Sequence, residues 1–476
     1  MINRLVKTIS VIKTYRSTKG VSCMLKKTHK CPEKIVPTVG TINPPPIDRK
    51  YFDVLVVGAG PAGSSAAYFL AKGGLDVALF ERAIPGAKAV GGAAIYAIPT
   101  QGMFPNFWNE APIERVITDQ RYMALTEKSA ITLSFKSERY AQAPYNRLAV
   151  HRAKFDRWLA DKAVSAGVVL FANHKVDELL QENGKIIGLK VGPPINREYY
   201  ANAVVLAEGV NSLLAERAGL VPRIKAKNMA LYVKEVMALP SDVIEERFNL
   251  SPGHGAVIGL LGHSTGDVMG SSSIYTNKDT LGLNVGTLVS TFSTSKFNPH
   301  DYVIKIKQHP ALKPYFEGAQ TVEYSAHMLP EGGYYAIPPL VHPSCLIVGD
   351  AAGLVNGVQG LNLAMLSGEM AAKTLITAKH LNDFSRRQLS LYKELLDDSY
   401  IMQDLRANRL VHGFYLKRPW IPEAEIAVFT EMAFQMGMVY TMPKRAKRLF
   451  IWKKVTSMQP VWKLLSDFAN ALWVMK

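Results

Sequence analysis

Three glycines near the N-terminal end carry the first chemical signal of this 476-residue chain. Gly58, Gly60 and Gly63 form a G-x-G-x-x-G pattern directly after the apolar run 51–57. The first glycine permits a tight turn, the second lets backbone N–H groups approach a pyrophosphate, and the third lets a helix pack closely on a strand. The pattern therefore predicts a dinucleotide-phosphate site at the start of a helix.

The residues around this turn extend the same prediction. Pro61 and Ala62 occupy the first helical positions, where a proline is well tolerated and a small residue leaves room for a ligand. Glu81 ends the next strand pattern, 23 residues after Gly58. An acid at that distance is placed to accept hydrogen bonds from a ribose, with Arg82 beside it.

A second turn, at residues 348–353, decides which dinucleotide is bound. Its sequence VGDAAG again joins a strand pattern to a helix pattern. Asp350 can accept hydrogen bonds from ribityl hydroxyls, and small residues including Gly353 allow close approach. The following helix begins near Leu361 and Asn362 and points its positive end at the site. A nicotinamide cofactor does not need this second turn, whereas FAD does, so the sequence predicts FAD.

The elements that must position these turns alternate between strand and helix patterns. Apolar runs at 51–60 and 76–82 flank a small-residue helix pattern at 61–74, which is the βαβ opening of a doubly wound parallel sheet. Residues 151–167 read as an amphipathic helix. Asn183-Gly184 joins two alternating strands as a hairpin. Residues 225–330 favour a separate antiparallel sheet, and the chain from Asn382 onward is helical in pattern.

The charge of the chain lies at its two ends. The formal net charge is +17, of which residues 1–50 contribute +9 and residues 441–476 contribute +7. The body between them is close to neutral, whereas a nucleic-acid enzyme more often spreads its charge over a folded face. We therefore expect no nucleic-acid partner. The absence of any run of 18 apolar residues argues against a membrane-spanning helix.

The first 50 residues leave three interpretations open. They are rich in Lys and Arg, contain no acid before Glu33 and end in a proline-rich linker. A mitochondrial targeting segment has this composition. A disordered basic tail, or translation that truly begins at Met24, would explain it equally well.

Several segments together resemble the FixC-type flavoproteins. They are YFDVLVVGAGPAGSSAAYFLAKGG, IPGAKAVGGAAIY, PNFWNEAPIER, HRAKFDRWLADKA, YTNKD, SAHMLPEGGYYAIP and VGDAAGLVNGVQGLNLAMLSGEMAA. These flavoproteins are relatives of electron-transfer-flavoprotein:quinone oxidoreductase and, more distantly, of geranylgeranyl reductases and aromatic hydroxylases. The resemblance covers residues 51–476. It implies an FAD-binding Rossmann-like domain of the glutathione-reductase type, with an inserted antiparallel β-sheet substrate domain and a helical C-terminal region.

The resemblance also implies domain limits and further FAD contacts. The expected parts are a basic tail or targeting segment at 1–50, an FAD-binding domain at 51–225 and 336–380, a substrate or quinone sheet at 226–335 to which 100–150 contribute, and a helical region at 381–476. The additional cofactor-binding residues that it implies are Gly91, Gly92, Arg152, Glu208, Gly209 and Gly360, besides those of the two turns.

For function, the resemblance implies an FAD-dependent oxidoreductase that passes electrons from an electron transfer flavoprotein toward quinone. Three cysteines (Cys23, Cys31 and Cys345) cannot supply a four-thiolate iron–sulfur cluster. The partners that the resemblance implies are the two electron transfer flavoprotein subunits and a separate small ferredoxin-like protein. No metal site is predicted. A reducer of isoprenoid lipid double bonds, an aromatic monooxygenase and a relay subunit without independent turnover are the alternatives.

Two features concern the acceptor. His327, Tyr334 and Tyr335 are weak candidates for protonating a quinone, because their segment leads directly into the second FAD turn.

Residues 441–476 interleave Lys and Arg with Trp452, Trp462 and other apolar residues, which suits contact with an anionic membrane surface. Docking on an acidic partner and packing on the protein body fit the same pattern. We expect a cytoplasmic protein at the inner face of the membrane, or a mitochondrial one if the N-terminal segment is a targeting sequence.

Overall fold

The protein is described from a computed structural model, which covers residues 49–87, 92–265, 268, 270–293, 295, 297–356, 359–417 and 421–474. The N-terminal segment, including Cys23, Cys31 and Met24, lies outside the described residues, and so does Gly91.

Strands and helices are numbered in chain order. The strands are β1 (Tyr51–Val57), β2 (Val77–Glu81), β3 (Gly92–Tyr96), β4 (Ile113–Leu125), β5 (Ala130–Lys136), β6 (Arg147–His151), β7 (Val169–Ala172), β8 (Val176–Glu182), β9 (Lys185–Val191), β10 (Arg197–Leu206), β11 (Met229–Ala238), β12 (His254–Gly262), β13 (Gly270–Thr276), β14 (Thr280–Leu288), β15 (Gln320–Pro330), β16 (Val341–His342) and β17 (Cys345–Ile347). The helices are α1 (Pro61–Lys72), α2 (Ala97–Met103), α3 (Arg152–Ser165), α4 (Leu213–Arg217), α5 (Ser241–Phe248), α6 (Pro299–Gln308), α7 (Lys313–Phe316), α8 (Leu361–Leu381), α9 (Arg386–Leu389), α10 (Leu391–Asp398), α11 (Tyr400–Ala407), α12 (Val411–Lys417), α13 (Ile421–Gly437), α14 (Lys444–Met458) and α15 (Val461–Val474).

The first sheet is the parallel one that the sequence predicts. Its order is β16-β17-β10-β1-β2-β7, with β9 and then β8 added in antiparallel fashion beside β10. The central strand β1 is parallel to both β10 and β2, and its buried apolar residues belong to one core with those of α1 and α8. Asn183 and Gly184 form the predicted hairpin turn between β8 and β9, both with positive φ.

The second sheet is built from two distant parts of the chain. Its order is β15-β11-β14-β13-β12-β4-β6-β3, with β5 paired to β4. Every pair is antiparallel except β12 with β4, which run parallel. Helices α5, α6 and α7 cover one face with an apolar core that includes Phe248, Tyr302 and Phe316. On the opposite face, His327 of β15 lines a cavity together with Val57 of β1 and Phe80 of β2.

The C-terminal region is helical, as predicted. Helix α8 packs along α1, and Tyr392 of α10 donates a hydrogen bond to Ile347 O of β17 over 3.1 Å, which fastens the region to the first sheet. No helix in the described part of the chain combines the length and the apolar character that crossing a bilayer requires.

Candidate cofactor-binding site

Two long helices begin at the edge of the same cavity. Helix α1 starts after Gly60 and α8 starts after Gly360, and neither N-terminus has a side-chain cap or an acidic residue in its first turn. Gly60, Pro61, Gly360 and Leu361 line the cavity. Uncapped N-termini present backbone N–H groups and the positive ends of two helix dipoles. The cavity therefore favours a ligand with two electron-rich groups, which matches the pyrophosphate and the flavin ring of FAD.

Helices α1 and α8 pack with their backbones in close contact, because small residues lie where they meet. A Cβ atom on Gly368 of α8 would lie 2.3 Å from Ala62 O of α1, so only glycine permits this approach. A Cβ atom on Gly349, at the start of the second turn, would lie 2.7 Å from the Ala62 Cβ. Ser367 Oγ accepts a hydrogen bond from Gly349 N over 2.9 Å. Both glycine-rich turns and both helices consequently form one packed unit.

Glu81 stands at the end of β2, at the carboxyl edge where the glycine turn lies. Its carboxylate accepts hydrogen bonds from Ala59 N over 3.0 Å and from Ala83 N over 3.1 Å. An ionised carboxylate has about four acceptor positions, so two remain for hydroxyl donors. Since Glu81 lines the cavity, it can bind a ribose there while holding the glycine turn in place.

Arg152 opens α3 on the opposite wall. Its guanidinium donates to both carboxylate oxygens of Asp156, each over 2.8 Å, and both residues line the cavity. A bidentate pair of this kind fixes the plane of the guanidinium. The arginine thus presents a held positive charge to the cavity, which is suited to a phosphate.

The structure brings most of the predicted residues to one place. The predicted residues that line the cavity are Gly58, Gly60, Pro61, Ala62, Glu81, Arg82, Arg152, Glu208, Gly209, His327, Asp350, Gly360 and Leu361. Gly63 is buried against Gly58 and Ala207 instead. Gly92 begins β3, opposite His151 of β6.

Other predicted residues lie beside this cavity. Gly353 and Tyr335 line a neighbouring cavity, and Tyr334 packs on the Tyr335 ring with the Arg406 guanidinium 5.7 Å from the Tyr334 ring centroid. Glu208 accepts hydrogen bonds from two backbone N–H groups at the start of α4, and burial raises the pKa of its carboxyl.

Asn362 has a role that its position in the sequence does not reveal. Its Oδ1 accepts from Tyr96 N over 3.1 Å, and its Nδ2 donates to Tyr96 O over 2.9 Å and to Thr100 Oγ1 over 2.6 Å. The amide therefore ties α8 to β3 and α2. Only the backbone of Asn362 is left for contact with a cofactor.

Sequence reasoning missed the inward face of the second sheet. We call this the polar face; it consists of Tyr232, Lys234, Ser271, Ser273, Tyr275, Asn284, Ser325 and His327. Burial raises the pKa of Tyr232 and Tyr275, while burial and then the nearby Arg152 lower the pKa of Lys234 to about 8. The alternation in ALYVKEVMA was the available signal, but a polar residue at every second position more often marks a solvated face.

A second cavity adjoins the first at Asp350, which lines both. Its rim carries the exposed cations Arg223, Lys225, Lys227 and Arg409. Near Asp350, burial and then the charge of Asp350 raise the pKa of Glu331 to about 7. The end of the site beside Asp350 can thus be approached from two sides.

The comparisons with known proteins agree with this site. A family model described as "FAD dependent oxidoreductase" matches residues 53–129. A geranylgeranyl bacteriochlorophyll reductase-like protein from Thermoplasma acidophilum superposes with a TM-score of 0.66 at 22% identity, covering 88% of this chain and 99% of that one. A flavin-dependent brominase gives a TM-score of 0.58 at 18% identity over 79% of this chain and 92% of that one. Fold and site define an FAD-dependent oxidoreductase, and the chain binds FAD.

Curated relatives narrow the class further. "Protein FixC" of Azotobacter vinelandii is 38% identical over 420 residues, which are 87% of this chain and 97% of the relative. "Protein FixC" of Bradyrhizobium diazoefficiens is 40% identical over 360 residues, 75% of this chain and 82% of the relative. This chain belongs to the FixC family, as the sequence resemblance indicated.

Proposed function

We propose that this protein passes electrons from an electron transfer flavoprotein, through its FAD, toward a quinone. The observation that carries the proposal is the second cavity, which meets the cofactor cavity at Asp350. Two approaches to the end of the site beside Asp350 suit a cofactor that is reduced by one partner and oxidised by another. FAD supplies the redox chemistry, so the protein has only to bind, orient and shield it.

A stopped-flow experiment on the purified flavoprotein tests this function. We expect the flavin to bleach on mixing with a reduced electron transfer flavoprotein and to recover its absorbance on addition of a soluble ubiquinone analogue. A flavin that ignores this donor but turns over with an isoprenoid lipid, or with NAD(P)H and an aromatic compound, would contradict the proposal. A flavin inert to all of these would favour the relay subunit.

The proposed protein partners are the two electron transfer flavoprotein subunits and a small ferredoxin-like protein. Cys345 is buried in the core and burial raises the pKa of its thiol, so it does not behave as a cluster ligand. Any iron–sulfur centre would then belong to another subunit. The cationic rim of the second cavity supports docking of an acidic partner there, since complementary charge steers association.

We further propose that α14 and α15 rest on an anionic membrane. Large apolar side chains are unusually exposed on these helices: Leu449 is 56%, Trp452 58%, Trp462 71% and Leu465 63% exposed. Helix α14 carries lysines and arginines beside them and has no acidic residue. Exposed Trp and Leu with interleaved cations are typical of interfacial helices, and a quinone dissolved in the membrane would lie near such a surface.

Vesicle sedimentation tests whether α14 and α15 bind an anionic membrane. We expect the wild-type protein to bind vesicles of three parts phosphatidylcholine and one part phosphatidylglycerol, and 0.5 M NaCl to weaken binding by screening. The double substitution Trp462→Ser with Leu465→Ser should lower the partition coefficient about tenfold or more, because it removes buried apolar area. Leu133→Ser, which alters a side chain that is 71% exposed on β5, is the matched control. Equal binding of the double variant and the wild type would contradict the proposal.

A further inference from the structure

Lys234 lies on the polar face opposite Ser325, which is two residues from His327, a residue that lines the cofactor cavity. In the sheet, Tyr232 is opposite His327 of β15, and Lys234 is opposite Ser325. Side chains alternate between faces along a strand, so these four residues point to the same side. Because His327 lines the cofactor cavity, Lys234 faces the space beside it.

Two polar groups on this face have no partner among the described residues. Ser325 Oγ is buried without a hydrogen-bond partner. Lys234 is half-buried, and no hydrogen bond or ion pair of its Nζ is present in the described part of the chain. Buried donors are nearly always satisfied in folded proteins, and leaving one unpaired costs free energy. An unpaired ammonium opposite an unpaired hydroxyl therefore indicates a ligand with a hydrogen-bond acceptor.

Two glycines of β14 leave room for aromatic rings beside this position. A Cβ atom on Gly282 would lie 2.3 Å from the Tyr275 ring, and one on Gly286 would lie 2.2 Å from the Tyr232 ring. The two rings therefore pack on these glycines, on either side of Asn284, the residue opposite Lys234. Aromatic side chains around a few polar donors are typical of sites for a flat, partly apolar molecule.

We propose that Lys234 is the acid that protonates the electron acceptor, and that Ser325 Oγ donates a second hydrogen bond to the same acceptor oxygen. This inference rests on the proposed function. A quinone becomes a hydroquinone by gaining two electrons and two protons. Bound reduced FAD would supply both electrons and one proton, Lys234 Nζ would supply the second proton, and water would return a proton to Lys234.

The charges around Lys234 suit an acid that gives up its proton readily. It is faced by Arg152 and Asp156 of α3, Glu323 and His327 of β15, Asp350 of the second turn, Tyr232 of its own strand and Tyr275 of β13. Burial and Arg152 favour the neutral amine, whereas Glu323, Asp156 and Asp350 favour the ammonium. The balance leaves Lys234 charged at pH 7 and neutral above about pH 8, so quinone reduction should slow as the pH rises through this range.

Parallel reoxidation experiments test the assignment in the holoenzyme. Flavin reduced by dithionite is mixed with a soluble ubiquinone analogue or with ferricenium, a one-electron acceptor that takes up no proton. For Lys234→Met we expect quinone reoxidation to slow about 100-fold or more, the size of a general-acid contribution. Ferricenium reoxidation and the FAD content should stay within about twofold of wild type. Lys234→Arg should not restore the quinone rate, because a guanidinium does not release its proton.

The control is Lys313→Met, which alters an exposed lysine of α7 and should leave both rates unchanged. Equal slowing with quinone and ferricenium would show that Lys234 tunes the flavin rather than supplying a proton, and so would overturn the proposal. Unchanged quinone reoxidation in Lys234→Met would also overturn it.

Amine labelling gives an independent readout. Only a neutral amine is acetylated by acetic anhydride, so the yield at Lys234, measured by mass spectrometry against pH, reports its ionisation. We expect a midpoint near pH 8. A midpoint near the ordinary lysine value of about 10.4, or no labelling of the native enzyme, overturns the assignment. If ferricenium but no quinone reoxidises the wild type, the proposed function fails, and the labelling still decides whether Lys234 is an accessible acid.

Discussion

We expect Gly60→Ala to abolish tight FAD binding while leaving the protein folded, and Gly63→Ala to destabilise the fold itself. A Cβ atom on Gly60 would have no atom beyond its chain neighbours within 4 Å, and Gly60 lines the cofactor cavity, so the added methyl group would occupy cavity space. A Cβ atom on Gly63 would lie 1.9 Å from Gly58 O, a backbone atom that cannot move aside. The same substitution, three residues apart, should thus have two different consequences.

The expected losses of FAD affinity and of stability follow from these contacts. Gly60→Ala should weaken FAD binding about 100-fold, since the methyl group holds the pyrophosphate away from the helix N-terminus. The flavin-free protein should keep its unfolding temperature. Gly63→Ala should lower the free energy of unfolding by about 3 kcal/mol or more, because helix α1 must shift away from β1.

Gly58→Ala provides the internal comparison. Gly58 has φ +101°, and a Cβ atom there would lie 2.4 Å from Ala207 O, so it should resemble Gly63→Ala. The measurements are the flavin-to-protein absorbance ratio, FAD titration of the stripped protein, and its thermal unfolding. Wild-type FAD affinity in Gly60→Ala would show that the pyrophosphate lies elsewhere.

Local patterns made the cofactor half of the fold predictable. A buried strand, a glycine turn and a small-residue helix are contiguous in sequence, so residues 51–81 reveal β1, α1 and β2 directly. The turn around Asp350 is equally local. The sequence analysis could assign the two turns to one site because a long cofactor needs both. In the structure, residues of both turns line one cavity.

The acceptor half could not be predicted in this way. The polar face depends on the register of β11, β13, β14 and β15, which span residues 229–330. Residues 277–279 alone join β13 to β14, but β11 pairs with β14 and β15 across long stretches of chain. A one-residue change in register would send Lys234 to the apolar core instead. No composition or spacing argument sets that register, so Lys234 and Ser325 become apparent only once the strands are paired.

Arg115 shows the same limit of prediction from sequence, because its hydrogen-bond partners are distant from it in the sequence. Its side chain is 1% exposed and donates to Asn277 O over 2.6 Å, Lys278 O over 2.8 Å and Glu245 Oε1 over 2.7 Å. It also donates to His254 O over 2.8 Å and to Ser241 Oγ over 2.7 Å. The segments PNFWNEAPIER and YTNKD, which looked like separate signatures, are therefore joined through this guanidinium.

Arg115→Met should accordingly lower the free energy of unfolding by about 3–5 kcal/mol, the usual cost of removing one partner from a buried ion pair. The substitution leaves three backbone carbonyls without their Arg115 donor, and it leaves the Glu245 carboxylate with hydrogen bonds from Ser241 Oγ and Gly253 N but without its positive partner. Arg115→Lys should recover less than half of the loss, because an ammonium has three donors and lacks the planar fork that reaches five acceptors.

Chemical denaturation followed by tryptophan fluorescence measures these changes, with flavin release recorded in the same titration. Arg157→Met is the matched control, since Arg157 pairs with Asp161, which is 53% exposed, one turn along α3. Such a surface pair contributes about 0.5 kcal/mol or less. A loss below about 1 kcal/mol in Arg115→Met would mean that the strands hold their register without the guanidinium. The polar face would then depend on strand pairing and apolar packing alone.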